Sequence, residues 1–485
     1  MNKKSIAKNF IYNIAFEILA IIIPLITTPY LSRILGAEKI GIHGFTASVV
    51  TYFILFGSLG VGLYGKREIA YIQDDIEKRS KTFWEIFSLK FITLSLSTII
   101  FYFTFCLNGE YTVYYKILIL TIIASAVDIS WFFHGMEEFK KTVIRNSLVK
   151  IVSTICIFVF IKSQEDLWIY FLIYSLSTLL GNLSLWLYLP KYVVKTKIKN
   201  LNLMKHLRPT IVLFLPQIAT QLYTVFDKTM IGIIIVDKSE VGYYEQAQKI
   251  IKLLLTIVTS LGAVMMPRIA ATYAKGDTKQ IKEYMNKSFS FILMLSFPIM
   301  FGICSIAPHF VPVFFGEGYD IVVNLIWIIC PILVLVGLSN VTGTQYLLPT
   351  KQQKKYTISV ILGAVVNFIL NLLFIKPFGA IGASIATVIS EIAVTGSQFF
   401  FVRKQIKFFE VVRNTYKYFL ASVIMLAISL FIGCIIKNDL ISIIIQILVS
   451  VIIYFGILII MKDSTVHKLI DTIKEKITSV ICHSK

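Results

Sequence analysis

The chain has 485 residues, 56% of them apolar and only 15% charged, and its formal net charge is +20. Soluble domains carry about 25% charged residues, so this composition excludes a chain assembled from water-soluble folding units. The surplus of 47 Lys and Arg over 27 Asp and Glu invites a nucleic-acid reading, but no basic stretch is separate enough from apolar sequence to form such a domain.

Roughly 20 consecutive apolar residues cross a bilayer as a helix. Fourteen such segments follow one another, near 10–31, 40–64, 85–106, 113–133, 144–161, 167–189, 211–235, 244–267, 288–311, 321–346, 356–375, 379–402, 416–436 and 440–461. The fold class expected is an all-α polytopic membrane protein. The first span is too long for a signal-peptide core and no small-residue cleavage site follows it, so it counts as span one. Asn13 and Glu17 lie one turn apart in it, ahead of Pro24 and Pro29. Proline removes a backbone donor and bends a helix, so Glu17 sits either beside a moving gate or in a static kink. Span four carries Asp128 and span five Lys150, both near the inner surface, where an interhelical pair is one reading.

Span seven aligns Gln217, Thr220, Gln221, Thr224, Asp227 and Lys228 at three- and four-residue steps, which puts them on one helix face. Asp227 and Lys228 are adjacent, about 100° apart around the helix, so at least one needs a partner elsewhere. The face reads as a cavity lining or as an interhelical ion pair. Span eight continues with Glu245, Gln248, Lys249 and Lys252. They suit an anionic group, or they form a solvated helix end in which Glu245 and Lys249 hold the favourable i,i+4 order. Span eleven carries Asn367 and Asn371, and span twelve carries Glu391 with Ser384, Thr395 and Gln398 on its face. An ionisable residue at membrane depth costs about 2.5–3.5 kcal/mol on insertion scales, so it normally faces protein or water. After 462 an amphipathic tail places Val466, Leu469, Ile470, Ile473, Ile477 and Val480 on one face, suited to the inner membrane surface.

Orientation follows from the basic residues. Thirty-five fall in the tails and every second loop, seven in the alternate loops (Arg33, Lys39, Lys116, Lys162, Lys238, Lys376 and Lys437), and five inside spans. Short basic loops stay cytoplasmic, so both termini are expected inside. Trp84, Trp131, Trp168 and Trp186 fall near span ends, as interfacial rings do. The six cysteines form no CxxC pair, and His43, His134 and His309 are isolated, so neither a disulfide framework nor a metal set is expected. No glycine loop with Lys-Ser/Thr is present, so no ATPase and no cofactor are expected.

The basic loop from Lys191 to Arg208 divides the chain. Leu35-Gly36-Ala37-Glu38-Lys39-Ile40-Gly41 and Val236-Asp237-Lys238-Ser239-Glu240-Val241-Gly242 occupy matching external turns on its two sides. Six spans per unit would make the halves parallel repeats about an axis along the membrane normal. The organisation expected is 1–190 as one lobe, 191–208 as the linking loop, 209–403 as the second lobe, 404–462 as two added spans and 463–485 as the tail.

Pro29-Tyr30-Leu31-Ser32-Arg33-Ile34-Leu35-Gly36-Ala37-Glu38 resembles the first-span signature of Wzx-type bacterial polysaccharide flippases, of the multidrug/oligosaccharidyl-lipid/polysaccharide exporter superfamily. Asp128-Ile129-Ser130-Trp131-Phe132-Phe133-His134-Gly135-Met136-Glu137, Phe226-Asp227-Lys228-Thr229-Met230-Ile231-Gly232, Val241-Gly242-Tyr243-Tyr244-Glu245 and Gly276-Asp277 add to the resemblance. It covers nearly the whole chain. It implies two six-helix lobes with alternating access in a bacterial cell membrane. The implied substrate is an undecaprenyl-pyrophosphate-linked oligosaccharide, moved from inner to outer leaflet for capsule-type polysaccharide, alongside other polysaccharide-assembly proteins.

On that reading Lys228, Lys249, Lys252, Lys150, Arg33, Gln217, Gln221 and Asn13 are candidates to line the substrate cavity. Glu17, Asp128, Asp227 and Glu391 are candidates to couple transport to H⁺ or Na⁺, because coupling needs a group with different affinity in the two states. A multidrug cation antiporter of the same superfamily is the alternative, and lysines within spans argue against it. A membrane polymerase or acyltransferase is a third reading. The external loops are too short for a polymerase, and His134 is the one acyltransferase candidate with carboxylates nearby, Glu137 and Glu138. The chain is therefore expected not to be an enzyme.

Overall fold

Helix follows helix along the chain, and no strand occurs among the described residues. The computed structural model describes residues 3–194, 196, 201–406, 408–463 and 465–467, and their side chains except those of 3–17, 215–217, 219–220, 222–224, 263, 408 and 414. The side chains of Asn13, Glu17, Gln217, Thr220 and Thr224 therefore lie outside the described set, as does nearly all of the tail face expected from 466 to 480.

The first compact unit runs to Gly242 and the second starts at Tyr243. The first holds α1 (Lys3–Ser58), α2 (Val61–Tyr71), α3 (Ile76–Phe105), α4 (Thr112–Ala126), α5 (Ser130–Gly135), α6 (Phe139–Phe160), α7 (Leu167–Ser184) and α8 (Met204–Ile234). α8 packs on α1, α2 and α3, which sets the boundary one helix beyond the 191–208 loop. The second unit holds nearly all of α9 (Ser239–Ala274), then α10 (Thr278–Phe315), α11 (Asp320–Ile329), α12 (Ile332–Ser339), α13 (Gln353–Val402), α14 (Phe408–Ile435) and α15 (Asp439–Ile460). A π-helical turn, Asn340–Leu347, continues α12.

Among the described residues, eleven stretches are long and apolar enough to cross a membrane. α1 and α13 each contain two spans, divided where the backbone leaves the helical region at Gly36 (φ 75°) and Gly379 (φ 56°). Positive φ suits glycine, and these two residues turn the chain back between spans one and two and between spans eleven and twelve. With α8, the set is consistent with fourteen crossings.

The helices expose aliphatic faces and bury polar residues among an apolar core. α15 buries Ser442, Gln446, Ser450 and Tyr454 at four-residue steps and exposes Ile444, Leu448, Val451 and Ile452. A water-soluble helix does the reverse. Lipid accepts the exposed aliphatic face, while the buried polar groups must bond to one another. Gln446 Nε2 donates to Ser442 Oγ at 2.9 Å, and Tyr454 OH donates to the Met294 carbonyl at 2.7 Å. Helix starts are capped by short polar side chains. Asp75 accepts from the Lys78 amide, Asp277 from the Gln280 amide and Asn438 from the Ile441 amide, each satisfying an otherwise orphan donor. Gly276 (φ 75°) and Asp277 thus form the turn and cap that open α10.

The chain leading from α7 to α8 is strapped to α3. Arg79 donates Nη2 and Nε to the Tyr192 carbonyl at 2.7 and 3.0 Å, Trp84 Nε1 donates to the Val194 carbonyl at 3.1 Å, and the Val194 amide donates to Ser80 Oγ at 2.9 Å.

Candidate functional site

α4 stops at Ala126 because Asp128 turns its side chain forward. Its Oδ1 accepts the Ser130 amide and its Oδ2 the Ser130 hydroxyl, both at 3.0 Å, which starts α5. The same carboxylate meets Lys90 of α3, with Nζ 3.6 Å from Oδ2, and Lys90 also donates to the Asp128 carbonyl at 2.9 Å. Lys90 is only 4% exposed. Lys150, the partner suggested by position along the chain, is half-buried on α6, but the ion pair at Asp128 is made by Lys90.

Asp128 lines a cavity of about 240 Å³ with Thr121, Ser125, Ser130, Arg145, Thr178 and Asn182. Arg145 Nη1 donates to Asn182 Oδ1 at 2.7 Å, and Asn182 Nδ2 donates to the Ala124 carbonyl at 2.8 Å. Arg145 Nε is buried and has no hydrogen-bond partner among the described residues. A buried donor left open costs about 1–3 kcal/mol, so Arg145 Nε suits an acceptor in this pocket. Arg145 and Asn182 were missed from sequence; Arg145, at the first turn of span five, was tallied with the basic loop before it. The available signal was Lys90: a lysine inside a span calls for a counter-charge or a wet cavity at its depth.

A second polar seam joins α1 to α8. Ser48 Oγ and Tyr52 OH meet Thr229 Oγ1 at 2.8 and 3.0 Å, and Gly232 lies against the Phe45 ring so closely that a Cβ has no room. Asp227 is buried on this helix, Lys228 half-buried and Gln221 exposed, as expected of neighbours about 100° apart. Arg33 is exposed. Nearby, a Cβ on Gly41 would run into the Lys238 carbonyl, and one on Gly242 into the Ala37 carbonyl. The same 201-residue offset relates Gly41 to Gly242 and Ala37 to Lys238, so the two contacts mirror each other.

In the second unit, Lys249 Nζ sits 3.3 Å from Glu245 Oε1 and is partly exposed, while Lys252 is exposed. The i,i+4 pair read from sequence is therefore formed. The polar face of span twelve lies buried: Ser384, Thr387, Glu391, Thr395 and Gln398 are each at most 8% exposed. It bonds along its length to neighbouring helices. Tyr244 OH meets Thr387 Oγ1 at 3.0 Å, Thr395 donates to the Leu335 carbonyl at 3.0 Å, and Thr342 of the π-helical turn donates to Gln398 Oε1 at 2.7 Å. Asn371 Nδ2 donates to Asn367 Oδ1 at 3.1 Å. A cavity of about 360 Å³ among α9, α10, α14 and α15 is almost wholly apolar, lined by residues such as Leu254, Met294, Ile299, Met425, Val451 and Phe455.

One ionic knot lies outside the expected set. Glu85 of α3 is fully buried and accepts the Asn202 amide at 2.9 Å, Lys205 Nζ at 2.9 Å and His206 Nε2 at 2.8 Å. Tyr64 OH meets His206 Nδ1 at 2.7 Å. A neutral imidazole with its proton on Nε2 satisfies both contacts. Burial, partly offset by the Glu85 hydrogen bond, holds the imidazole below its ordinary pKa.

Comparison with known proteins places this architecture. The family described as "Polysaccharide biosynthesis protein" matches residues 6–273, and "MatE" matches residues 213–373. The "Putative O-antigen transporter" of Escherichia coli (strain K12) is 26% identical over 418 residues, covering 83% of this chain and 98% of that protein. "Lipid II flippase MurJ" of Bacillus subtilis (strain 168) is 26% identical over 149 residues, 30% of this chain and 27% of that one. Among solved structures, "Lipid II flippase MurJ, inward closed conformation" superposes with TM-score 0.76 at 18% identity, covering 93% of this chain and 99% of that chain. An inward-facing multidrug resistance MATE family transporter of the MOP superfamily superposes with TM-score 0.61 at 15% identity, covering 79% and 93%.

Proposed function

We propose that this chain, which belongs to the polysaccharide biosynthesis protein family, is a flippase for lipid-linked sugars. It carries undecaprenyl-pyrophosphate-linked oligosaccharide units from the inner to the outer leaflet of a bacterial cell membrane, with both termini cytoplasmic. The cargo serves a surface polysaccharide of capsule or O-antigen type. The observation that carries the reading is the likeness to a putative O-antigen transporter over 83% of this chain, whose apolar spans hold Lys228, Lys249 and Lys252.

The cargo joins three chemistries that one path must accommodate. The pyrophosphate is anionic and suits Lys228, Lys249, Lys252, Lys150 and Arg33. The sugars offer hydroxyls to Gln217, Gln221 and Asn13. The polyprenyl chain stays in lipid or along apolar surface such as the groove among α9, α10, α14 and α15. Lysine attracts phosphate as a point charge without fixing its geometry, which suits a group that must be released on the far side.

Directional transport needs a group whose ion affinity differs between states. Glu17, Asp227 and Glu391 remain candidates, and Asp128 is the one we favour. It stands between Lys90 and the cavity that Arg145 lines. Protonation would leave both cations without their shared counter-charge and would favour helix positions that separate them. The same logic serves Na⁺ at that carboxylate.

A multidrug cation antiporter shares the fold, but in-span lysines repel cationic cargo. Expression of Lys228→Ala in cells lacking the chromosomal copy tests the reading. The expected outcome is loss of surface polymer with lipid-linked sugar accumulating on the cytoplasmic leaflet, at normal protein level. Normal surface polymer would remove Lys228 from the path.

A further inference from the structure

The membrane-edge ends of α9, α10, α13 and the π-helical turn enclose a cavity of about 580 Å³ in the second unit. Lys279, Lys282 and Lys404 line it and are exposed, while Tyr346 and Thr350 close it from the buried side. Lys282 pairs with Glu410 at 3.4 Å, and Glu283 is the one carboxylate among the described lining residues. Lys279 and Lys404 form no ion pair among the described residues. The cavity is thus a cationic recess with unspent charge.

Two exposed rings lie close to the lining residues along the chain, one of them beneath the Arg403 guanidinium at 3.9 Å. Phe400, one turn before Lys404, is 57% exposed, and Phe409, at the start of α14, is 75% exposed. Exposed rings this near the lysines in sequence suit a ligand that carries acyl carbons beside its phosphate better than a soluble anion. Basic pockets between transmembrane helices on the cytoplasmic side bind anionic headgroups, and all the lining residues belong to loops and helix ends on the basic side of the chain.

We propose that this recess is a binding site for the phosphate headgroup of an anionic phospholipid. The leaflet, cytoplasmic, rests on the orientation proposed above; the binding chemistry does not.

The test uses the full chain in neutral detergent micelles, with thermal unfolding as readout and added phosphatidylglycerol or phosphatidylcholine as probe. Phosphatidylglycerol is expected to raise the midpoint and phosphatidylcholine is not. Each lysine near the surface contributes about 1 kcal/mol to such binding, so Lys279→Gln/Lys404→Gln is expected to need about thirtyfold more phosphatidylglycerol for the same rise. Lys279→Arg/Lys404→Arg should keep the response, as should a Lys140→Gln/Lys191→Gln control in the first unit. Raising salt should weaken the response of the parent protein, which tests the site without any variant. An unchanged response in the glutamine double variant, a salt-independent response, or equal protection by inorganic phosphate alone would each overturn the proposal. The readout is binding without transport, so failure of the flippase reading leaves it standing.

Discussion

Neutralising Asp128 isolates a lysine that the fold has buried. Lys90 is 4% exposed, and its Nζ has Asp128 Oδ2 at 3.6 Å and the Asp128 carbonyl at 2.9 Å. Asp128→Asn keeps the shape, and the new amide oxygen still accepts the Ser130 amide. What it removes is the counter-charge. Removing one partner of a buried pair costs about 3–5 kcal/mol; the surviving carbonyl bond and the quarter exposure of Asp128 put this variant at the lower end, about 3 kcal/mol. Adding Lys90→Met removes the stranded charge and fills its space with an unbranched apolar chain. Replacing an ion pair by apolar groups is close to neutral, so the double variant is expected to regain about 2 kcal/mol or more. Chemical unfolding of the four proteins in detergent micelles yields the coupling energy directly. Single variants that each lose less than about 0.5 kcal/mol, and that add in the double, would refute the reasoning. The double variant also separates two roles of Asp128: it should be stable yet fail to accumulate cargo against a gradient.

Three further outcomes are expected. Gly41→Ala and Gly242→Ala each drive a methyl into a facing carbonyl and should each cost at least about 1–3 kcal/mol, whereas Gly62→Ala, which meets open space, should leave the unfolding midpoint unchanged or raised; equal effects would contradict the reciprocal glycine contact. Burial holds the His206 pKa down, so the folded chain binds fewer protons there than the unfolded one. That contribution is complete above a pH of about 6.5 and declines as pH falls through that value, so stability should drop between about pH 7 and pH 5 and the slope should flatten in His206→Gln; a parent profile as flat as the variant's would contradict the neutral knot. Cys304 and Cys330 bring their Sγ atoms to 2.9 Å, so mild oxidation should cross-link α10 to the end of α11, and Cys304→Ser should abolish the product; no cross-link in the parent would contradict that packing.

The spans were legible because lipid demands long apolar runs, and the turns at Gly36 and Gly379 because charge and small residues interrupt them. Pairs within one helix were legible too. Glu245 and Lys249 meet as their spacing requires, and the face carrying Ser384, Glu391, Thr395 and Gln398 is buried as its spacing implies. Contacts between distant helices were not. Lys90 and Asp128 stand 38 positions apart and Glu85 and His206 stand 121 apart, and periodicity says nothing about which faces meet. Arg145, at the first turn of span five, was absorbed into the basic-loop count, and Glu85, at the edge of span three, has no local pattern that names His206 as its partner. The π-helical turn carries no pattern distinguishable from an apolar α-helix, yet it brings Thr342 to Gln398.

The most direct test of the account is leaflet transfer in proteoliposomes holding the purified chain, undecaprenyl-pyrophosphate-linked oligosaccharide and an imposed H⁺ or Na⁺ gradient. Sugar should become accessible to an external lectin at a rate that depends on the gradient, and both Lys228→Ala and Asp128→Asn should reduce it to the protein-free background. Transfer at the parent rate in those two variants, or none in the parent while a fluorescent cationic drug is expelled, would contradict it.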